Sequence, residues 1–306
     1  MIDNHLYDLY KDGPISLTEP IHYVLSNSGK RLRPILTLLT TEACGGNIDI
    51  AIPLALSVEI LHNFTLVHDD IMDEDHFRHG QLTVHEKWDI GGAILTGDAM
   101  LALAMKMLQK HDKHPHDLMS IFTEGLLKVC EGQALDKEFE SRNDIPLNEY
   151  IRMIDMKTGH LLGLSSELGA ISAGIDTNNR ELLRNFGRLL GRAFQIQDDI
   201  LELYSHSDEM GKSLESDIIL GKNTYPMLLA MNEIPEDIKD AISLAHHDFP
   251  KEIKKIRILM TESGIQNKIK AEIKNIISQA EKLLELININ TNDLKCFSDI
   301  ILNRKN

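Results

Sequence analysis

Apolar side chains recur at three- and four-residue intervals along most of this chain, the period of helices that bury one face. The pattern predicts helices over residues 17–28, 33–44, 48–75, 90–109, 118–140, 147–172 and 179–204. Amphipathic helix continues through the C-terminal part, where Ile265, Ile269, Ile273, Ile276, Ala280, Leu283 and Ile287 keep the same period with lysines between them. Gly45-Gly46 closes the second of these helices. Residues 77–80 leave the third as a loop, and the polar, Pro-containing run 111–117 reads as a surface loop. No segment alternates apolar and polar residues at the strand period over any length, and there is no linker or low-complexity tract. The expected architecture is one all-α domain spanning residues 1–306.

One helix carries a conflict. Lys157-Thr158-Gly159 falls in the middle of 147–172, and glycine there is worse than alanine by about 1 kcal/mol. A kink or a close helix approach is expected to compensate. A kink would free a backbone carbonyl and aim Lys157 and Thr158 into a cavity.

Composition narrows the function classes. The 306 residues are 42% hydrophobic and 26% charged, as in ordinary globular proteins. A net charge of −15 disfavours nucleic acid, whose binding relies on Lys and Arg to neutralise phosphates. A few local cations still suffice for a small phosphorylated substrate. Cys44, Cys130 and Cys296 are odd in number and widely spaced, which is no disulfide framework and points to a reducing, cytoplasmic compartment. There is no run of signal-peptide type and no expected membrane span of about 20 apolar residues. The longest candidate, 51–67, is interrupted by Ser57, Glu59, His62 and Asn63.

The candidate chemistry starts at the end of the 48–75 helix. Asp69 and Asp73 are four apart and share one helix face, with Asp70 beside them. Like charges at that spacing repel unless something neutralises them. A solvated acidic helix end would explain such a trio alone, but it would not need the apolar run 64–67 before it. A second cluster repeats the layout: Asp198 and Glu202 are four apart, Asp199 lies beside them, and Gln195 can reach the same face. Two acidic ridges in one helical domain can hold Mg²⁺, which takes one or two carboxylates and leaves its other positions to water and substrate phosphates. The substrate class is then a diphosphate or polyphosphate.

Cations complete the picture. Gly29-Lys30-Arg31-Leu32-Arg33-Pro34 can open a helix, and a helix N-terminus with added positive charge is an anion site; the alternative is a solvated basic turn. His62 lies two turns before Asp69 on the same side, where it is either a ligand contact or a core histidine. Arg78 and His79 follow the first acidic cluster and can meet the same phosphates. Lys212 and Lys222, each after a glycine, are candidates for a lid over a charged ligand or belong to a solvated loop.

Together these motifs closely resemble the trans-isoprenyl diphosphate synthases, the head-to-tail prenyltransferases, over residues 29–226. The resemblance rests on Gly29 to Pro34, His62, Asp69-Asp70-Ile71-Met72-Asp73, Lys157-Thr158-Gly159, Gln195 to Asp199 and the Gly-Lys pairs ending at Lys222. It implies a large helical bundle around a deep central cavity, normally a homodimer, that condenses isopentenyl diphosphate with an allylic diphosphate. It further implies three Mg²⁺ bridging Asp69, Asp73 and Asp198 to the allylic diphosphate, with Asp70, Asp199 and Glu202 in support. By the same resemblance Arg78, Lys157, Lys212 and Lys222 add charge at the allylic diphosphate, and Lys157, Thr158 and Gln195 orient it and stabilise the allylic cation. Gly29, Lys30, Arg33 and His62 would hold isopentenyl diphosphate, with His79 where the family has a second arginine. Glu202 stands where the family's second motif has Asp. These two departures raise the alternative of a weakly active regulatory subunit.

Product length is expected to rest on Phe64, five residues before Asp69 and about 7.5 Å back along the helix axis. A ring there can floor the cavity that takes the allylic tail. In the family, an aromatic at this position goes with short products. The spacing from Asp69 to Asp73 resembles synthases of twenty carbons and longer. The expected product is geranylgeranyl diphosphate, with farnesyl diphosphate or a longer polyprenyl diphosphate as alternatives. Ordinary core packing is the other role open to Phe64.

Overall fold

The apolar period is realised as helices almost where the sequence puts them. The structure, a computed structural model, describes residues 1–27, 29–112, 114–142, 144–204, 223–245 and 249–303. Two compact units emerge, one of Met1–Leu126, Leu164–Arg184 and Ile289–Leu294, the other of Leu127–Gly163, Asn185–Asn288 and Lys295–Asn306. The fold is all-α.

In the first unit, α1 (Ile2–Tyr7), α2 (Ile15–Leu25), α3 (Leu32–Ala43) and α4 (Ile48–Met72) lead into a short β-hairpin, followed by α5 (Val84–Lys87) and α6 (Ile90–Leu108). The central element is α4. Asn47 caps its start by accepting from the Asp49 amide at 2.9 Å. Its side chains from Leu54 to Leu61 are buried on every face, the signature of a helix at the centre of a core rather than at its edge. Its neighbour α6 is tied to it where Ser57 Oγ donates to the Ala104 carbonyl at 2.9 Å. Contrary to expectation, both α4 and α6 are long and apolar enough to cross a membrane by length and composition. In α4 67% of that apolar window is buried inside the protein, so its hydrophobicity is spent on the core.

Residues 77–80 are a two-residue hairpin rather than a loop. Phe77–Arg78 pairs with Gln81–Leu82, and the turn residues His79 and Gly80 have φ of 51° and 74°. Positive φ at both positions matches the twist of the flanking strands. Tyr23 Oη donates to the Leu82 carbonyl at 2.8 Å and fixes the hairpin to α2. The run 111–117 is also shorter as a loop than expected, because Pro115 opens α7 (Pro115–Phe139), a position where its missing N–H does no harm.

The second unit settles the glycine conflict. The expected helix 147–172 is three elements: α8 (Leu147–Ile154), a π-helical turn Asp155–Gly159, and α9 (His160–Ser172), which the first unit claims from Leu164 on. The chain packs backbone against backbone there. A Cβ on Gly191 of α10 (Thr177–Tyr204) would lie 2.6 Å from the Gly159 Cα, and one on Gly132 of α7 would lie 2.3 Å from the Lys157 nitrogen. Arg192 clamps the turn with a two-pronged ion pair to Asp155, its Nε 2.7 Å from Oδ1. Among the described residues this unit also holds α11 (Tyr225–Glu233), α12 (Pro235–Ala245), α13 (Phe249–Glu262), α14 (Ile265–Leu284) and most of α15 (Asn292–Leu302). The α14 stripe is buried as expected, except that Leu284 takes the inward position in place of Leu283.

Candidate active site

The end of α4 gives each carboxylate of the first motif its own environment. Asp69 and Asp73 are partly exposed on one face, with the Asp73 amide donating to the Asp69 carbonyl at 2.8 Å. Asp70, a 100° turn away, is only 4% exposed. It accepts a hydrogen bond from Arg78 Nε in the hairpin, and Arg78 also reaches Asp75 at 3.3 Å. Burial, opposed by Arg78, pushes the Asp70 carboxyl up to about 6. Two carboxylates of the trio thus face outward, and the third anchors the hairpin.

A pocket in the first unit lies beside Asp70. Its wall includes Gly29, Arg31, Glu59, His62, Arg78 and His79. His62 keeps some exposure towards it, yet loss of water and then the charges of Arg33, Arg78 and Arg31 hold its pKa well below the usual imidazole value. His79, exposed at the hairpin tip, is also held below its ordinary value, by loss of water first and then by Arg78 and Lys30. Lys30 and Arg33 therefore act electrostatically on this pocket although they do not line it.

Arg31 is the residue sequence reasoning passed over. It adopts φ of 50° at the start of α3. Its guanidinium donates to Glu59 at 2.6 Å, Asp3 at 2.9 Å, and the Leu25 and Asn27 carbonyls at 2.8 and 2.7 Å. It binds the basic loop to α1, α2 and α4 at once. The signal was present in the sequence: one glutamate, Glu59, in the most apolar run of the chain must have a cationic partner.

The second unit carries the other half of the predicted set. Thr158 Oγ1 donates to Gln195 Oε1 at 3.0 Å, and Gln195 Nε2 donates to Asp199 Oδ1 at 3.0 Å. Asp199 is buried and also accepts from Tyr150 Oη at 2.5 Å and the Tyr225 amide at 2.9 Å. Burial raises its pKa, and these three hydrogen bonds oppose the rise. Lys157 pairs with Asp136 at 2.6 Å. Asp198 and Glu202 are partly exposed on α10. Lys212 and Lys222 lie outside the described residues. Tyr150 and Asp136 carry no sequence signal of their own. Nor does Gln133, one residue after the close contact at Gly132, whose buried amide finds no partner among the described residues.

The outward donors, Asp69, Asp73, Asp198 and Glu202, are all carboxylates, with no thiolate or imidazole among them. That chemistry suits a hard divalent cation such as Mg²⁺. Among the described residues no three His, Cys, Asp or Glu side chains converge into a preformed cage. Magnesium held by one or two carboxylates and substrate phosphates does not need one.

The family described as Polyprenyl synthetase matches residues 15–261. A geranylgeranyl pyrophosphate synthase from Geoglobus acetivorans is 36% identical over 292 residues, 94% of this chain and 90% of that protein. A (2E,6E)-farnesyl diphosphate synthase from Mycobacterium tuberculosis is 42% identical over 205 residues, 67% of this chain and 57% of that protein. The crystal structure of geranylgeranyl pyrophosphate synthetase from Pyrococcus horikoshii matches with a TM-score of 0.89 at 32% identity, covering 99% of this chain and 95% of that one. The chain belongs to the polyprenyl synthetase family, the trans-isoprenyl diphosphate synthases.

Proposed function

We propose that this chain condenses isopentenyl diphosphate with an allylic diphosphate to make geranylgeranyl diphosphate. The observation that carries the reading is the pocket beside Asp70, where cationic and imidazole groups gather one helix turn from two outward carboxylates. Gly29, Lys30, Arg33, His62 and His79 hold the isopentenyl diphosphate. Asp69 and Asp73 in the first unit, and Asp198 with Glu202 in the second, would hold the three Mg²⁺ of the resemblance, with Asp70 and Asp199 keeping the neighbouring groups in place. Bound magnesium would neutralise the allylic diphosphate and stabilise it as a leaving group. Arg78, Lys157 and, outside the described residues, Lys212 and Lys222 add positive charge to it. The allylic C–O bond breaks and its electron pair leaves with the diphosphate. Thr158 and Gln195, fixed by Asp199 and Tyr150, present dipoles that stabilise the cation without reorganising. The isopentenyl double bond attacks the cation, and the released diphosphate takes the proton lost in the last step.

The outer face of α6 supports a homodimer. Ile90, Ile94 and Leu95, three large apolar side chains within six residues, stand exposed on this helix, which a partner surface would cover. The test of the whole reading is one preparation of purified chain. It should sediment at twice 34.6 kDa and convert isopentenyl diphosphate plus allylic primers into a twenty-carbon product with magnesium. No turnover by the chain alone would support the regulatory-subunit reading that His79 and Glu202 raise.

His79 gives a sharper expectation. Its pKa is below the ordinary value of about 6.5, so the ring is neutral at pH 7 and gains charge only as pH falls. His79→Arg supplies a permanent, forked cation at that position. The Michaelis constant for isopentenyl diphosphate should fall roughly 3- to 10-fold at pH 7, the scale of one net hydrogen bond at an exposed position, and that for the primer should stay put. The gap should narrow in acid. The positive φ at residue 79 tolerates arginine less well than histidine, so a small loss of stability accompanies the gain. An unchanged isopentenyl constant would remove His79 from that site.

A further inference from the structure

The π-turn Asp155–Gly159 has a second side. Lys157 and Thr158 bond to Asp136 and Gln195. Asp155 and Met156 instead line an open pocket of about 340 Å³ in the second unit, whose wall includes Lys128, Arg152, His160 and Arg188. The glycines that press the helices together also deliver its cations. Lys128 stands one turn before Gly132 on α7, and Arg188 one turn before Gly191 on α10. A Cβ on Gly159 would lie 3.1 Å from the Arg188 carbonyl oxygen. The widened turn does the rest. Residues eight apart on a continuous α-helix point about 80° apart. The i→i+5 bonds of a π-turn absorb an offset of that kind, and Arg152 and His160 line one pocket.

The charges around this pocket are unbalanced. Asp155, the acid in its wall, has both oxygens taken by Arg192. Lys128 meets Glu131 at 2.7 Å in a pair open to solvent, a contact worth little. Arg152 is exposed and Arg188 half-buried, and among the described residues neither guanidinium has a hydrogen-bond or ion-pair partner. On a chain of net charge −15, two unpaired arginines and a lysine around one pocket mark it for a polyanion. The arginine fork matches phosphate oxygens two at a time. We propose that this pocket is a second anion site, which binds a diphosphate group between Arg152 and Arg188 and lowers turnover through the π-turn. Both substrates and both products of the proposed condensation carry that group, so the ligand is either free diphosphate or the head of a prenyl diphosphate. Either adds negative charge beside Asp155 and loosens the Asp155–Arg192 pair that clamps the turn. Lys157 and Thr158, on the same turn, then lose the fixed geometry that stabilises developing charge. The choice of diphosphate and the link to turnover rest on the proposed condensation; the anion site does not.

Calorimetric titration of inorganic diphosphate into the purified chain tests the site, with a chelator to remove magnesium and excess isopentenyl diphosphate to fill the pocket beside Asp70. One diphosphate should bind per chain. Arg152→Gln and Arg188→Gln should each weaken it about tenfold or more, the scale of one hydrogen bond between charged groups. If Arg188→Gln fails to fold, the exposed Arg152→Gln decides. The same titration with geranyl diphosphate separates the two sources. A loss in Arg152→Gln for both ligands means that any diphosphate head is taken, and a loss for inorganic diphosphate alone means the free by-product. With magnesium in excess, added diphosphate should lower the maximum rate, an effect that saturating substrates do not reverse. Both variants should resist it while keeping wild-type turnover in its absence. No binding to the wild type, or equal affinity in wild type and variants, would overturn the site. Variants that lose binding but keep the inhibition would overturn the route through the π-turn, because the anion would then act where the substrates bind. A chain that binds diphosphate as expected and makes no product would leave the anion site standing and take down the condensation reading instead.

Discussion

Replacing Asp69 or Asp198 by alanine is expected to lower turnover by roughly 10³-fold or more, the scale of removing a preorganised group that stabilises charge in the transition state. The fold should survive. Both side chains are partly exposed, and each repels a carboxylate one turn away, Asp73 or Glu202, so the substitution relieves local strain of a few tenths of a kcal/mol. Their buried neighbours behave differently. Asp70 carries Arg78, and Asp199 carries Gln195, Tyr150 and the Tyr225 amide. Asp70→Ala and Asp199→Ala should therefore lose stability as well as rate, because each leaves buried donors without an acceptor. Melting curves and steady-state rates in saturating magnesium, with a chelator control, separate the two classes. Near-normal turnover in Asp69→Ala or Asp198→Ala would end the two-motif reading.

That division of labour was half legible in the sequence. The i, i+4 spacing of Asp69 with Asp73, and of Asp198 with Glu202, is a helical-face argument and needs nothing but the period. Which acid of each Asp-Asp pair is buried depends on what packs beside it: the Arg78 hairpin in one unit, Tyr150 of α8 and the start of α11 in the other. Those contacts join residues 8, 49 and 26 positions apart, and local pattern carries no trace of the two longer ones. The break at Lys157-Thr158-Gly159 was legible because a glycine in a strong helical pattern demands a reason. Its form, a π-turn pressed between Gly132 and Gly191, was not, because the partner glycines look ordinary where they stand. The hairpin at His79-Gly80 was missed for a different cause: two-residue strands are too short to show any alternation.

The other large effect is expected at Arg31. Arg31→Ala should destabilise the protein by about 3–5 kcal/mol, the usual result of removing one partner of a buried ion pair. The Arg31 side chain is 10% exposed and that of Glu59 is 5%, so water cannot replace the guanidinium. Among the described residues the Glu59 carboxylate would keep only the Asn63 amide, 3.3 Å from Oε1. Two backbone carbonyls at the end of α2 and in the basic loop would lose their donor together. For a chain of this size the apparent melting temperature should fall by roughly 5–8 °C. Arg31→Lys should fall in between, since an ammonium restores the charge and cannot make the fork that reaches both Glu59 and the two carbonyls. Adding Glu59→Gln to Arg31→Ala should recover part of the loss, because the stranded charge is then gone. The same contacts hold the loop that presents Lys30 and Arg33, so Arg31→Ala should also raise the Michaelis constant for isopentenyl diphosphate more than that for the primer. A variant with unchanged melting and unchanged isopentenyl binding would mean that the Arg31–Glu59 pair neither supports the fold nor shapes the pocket.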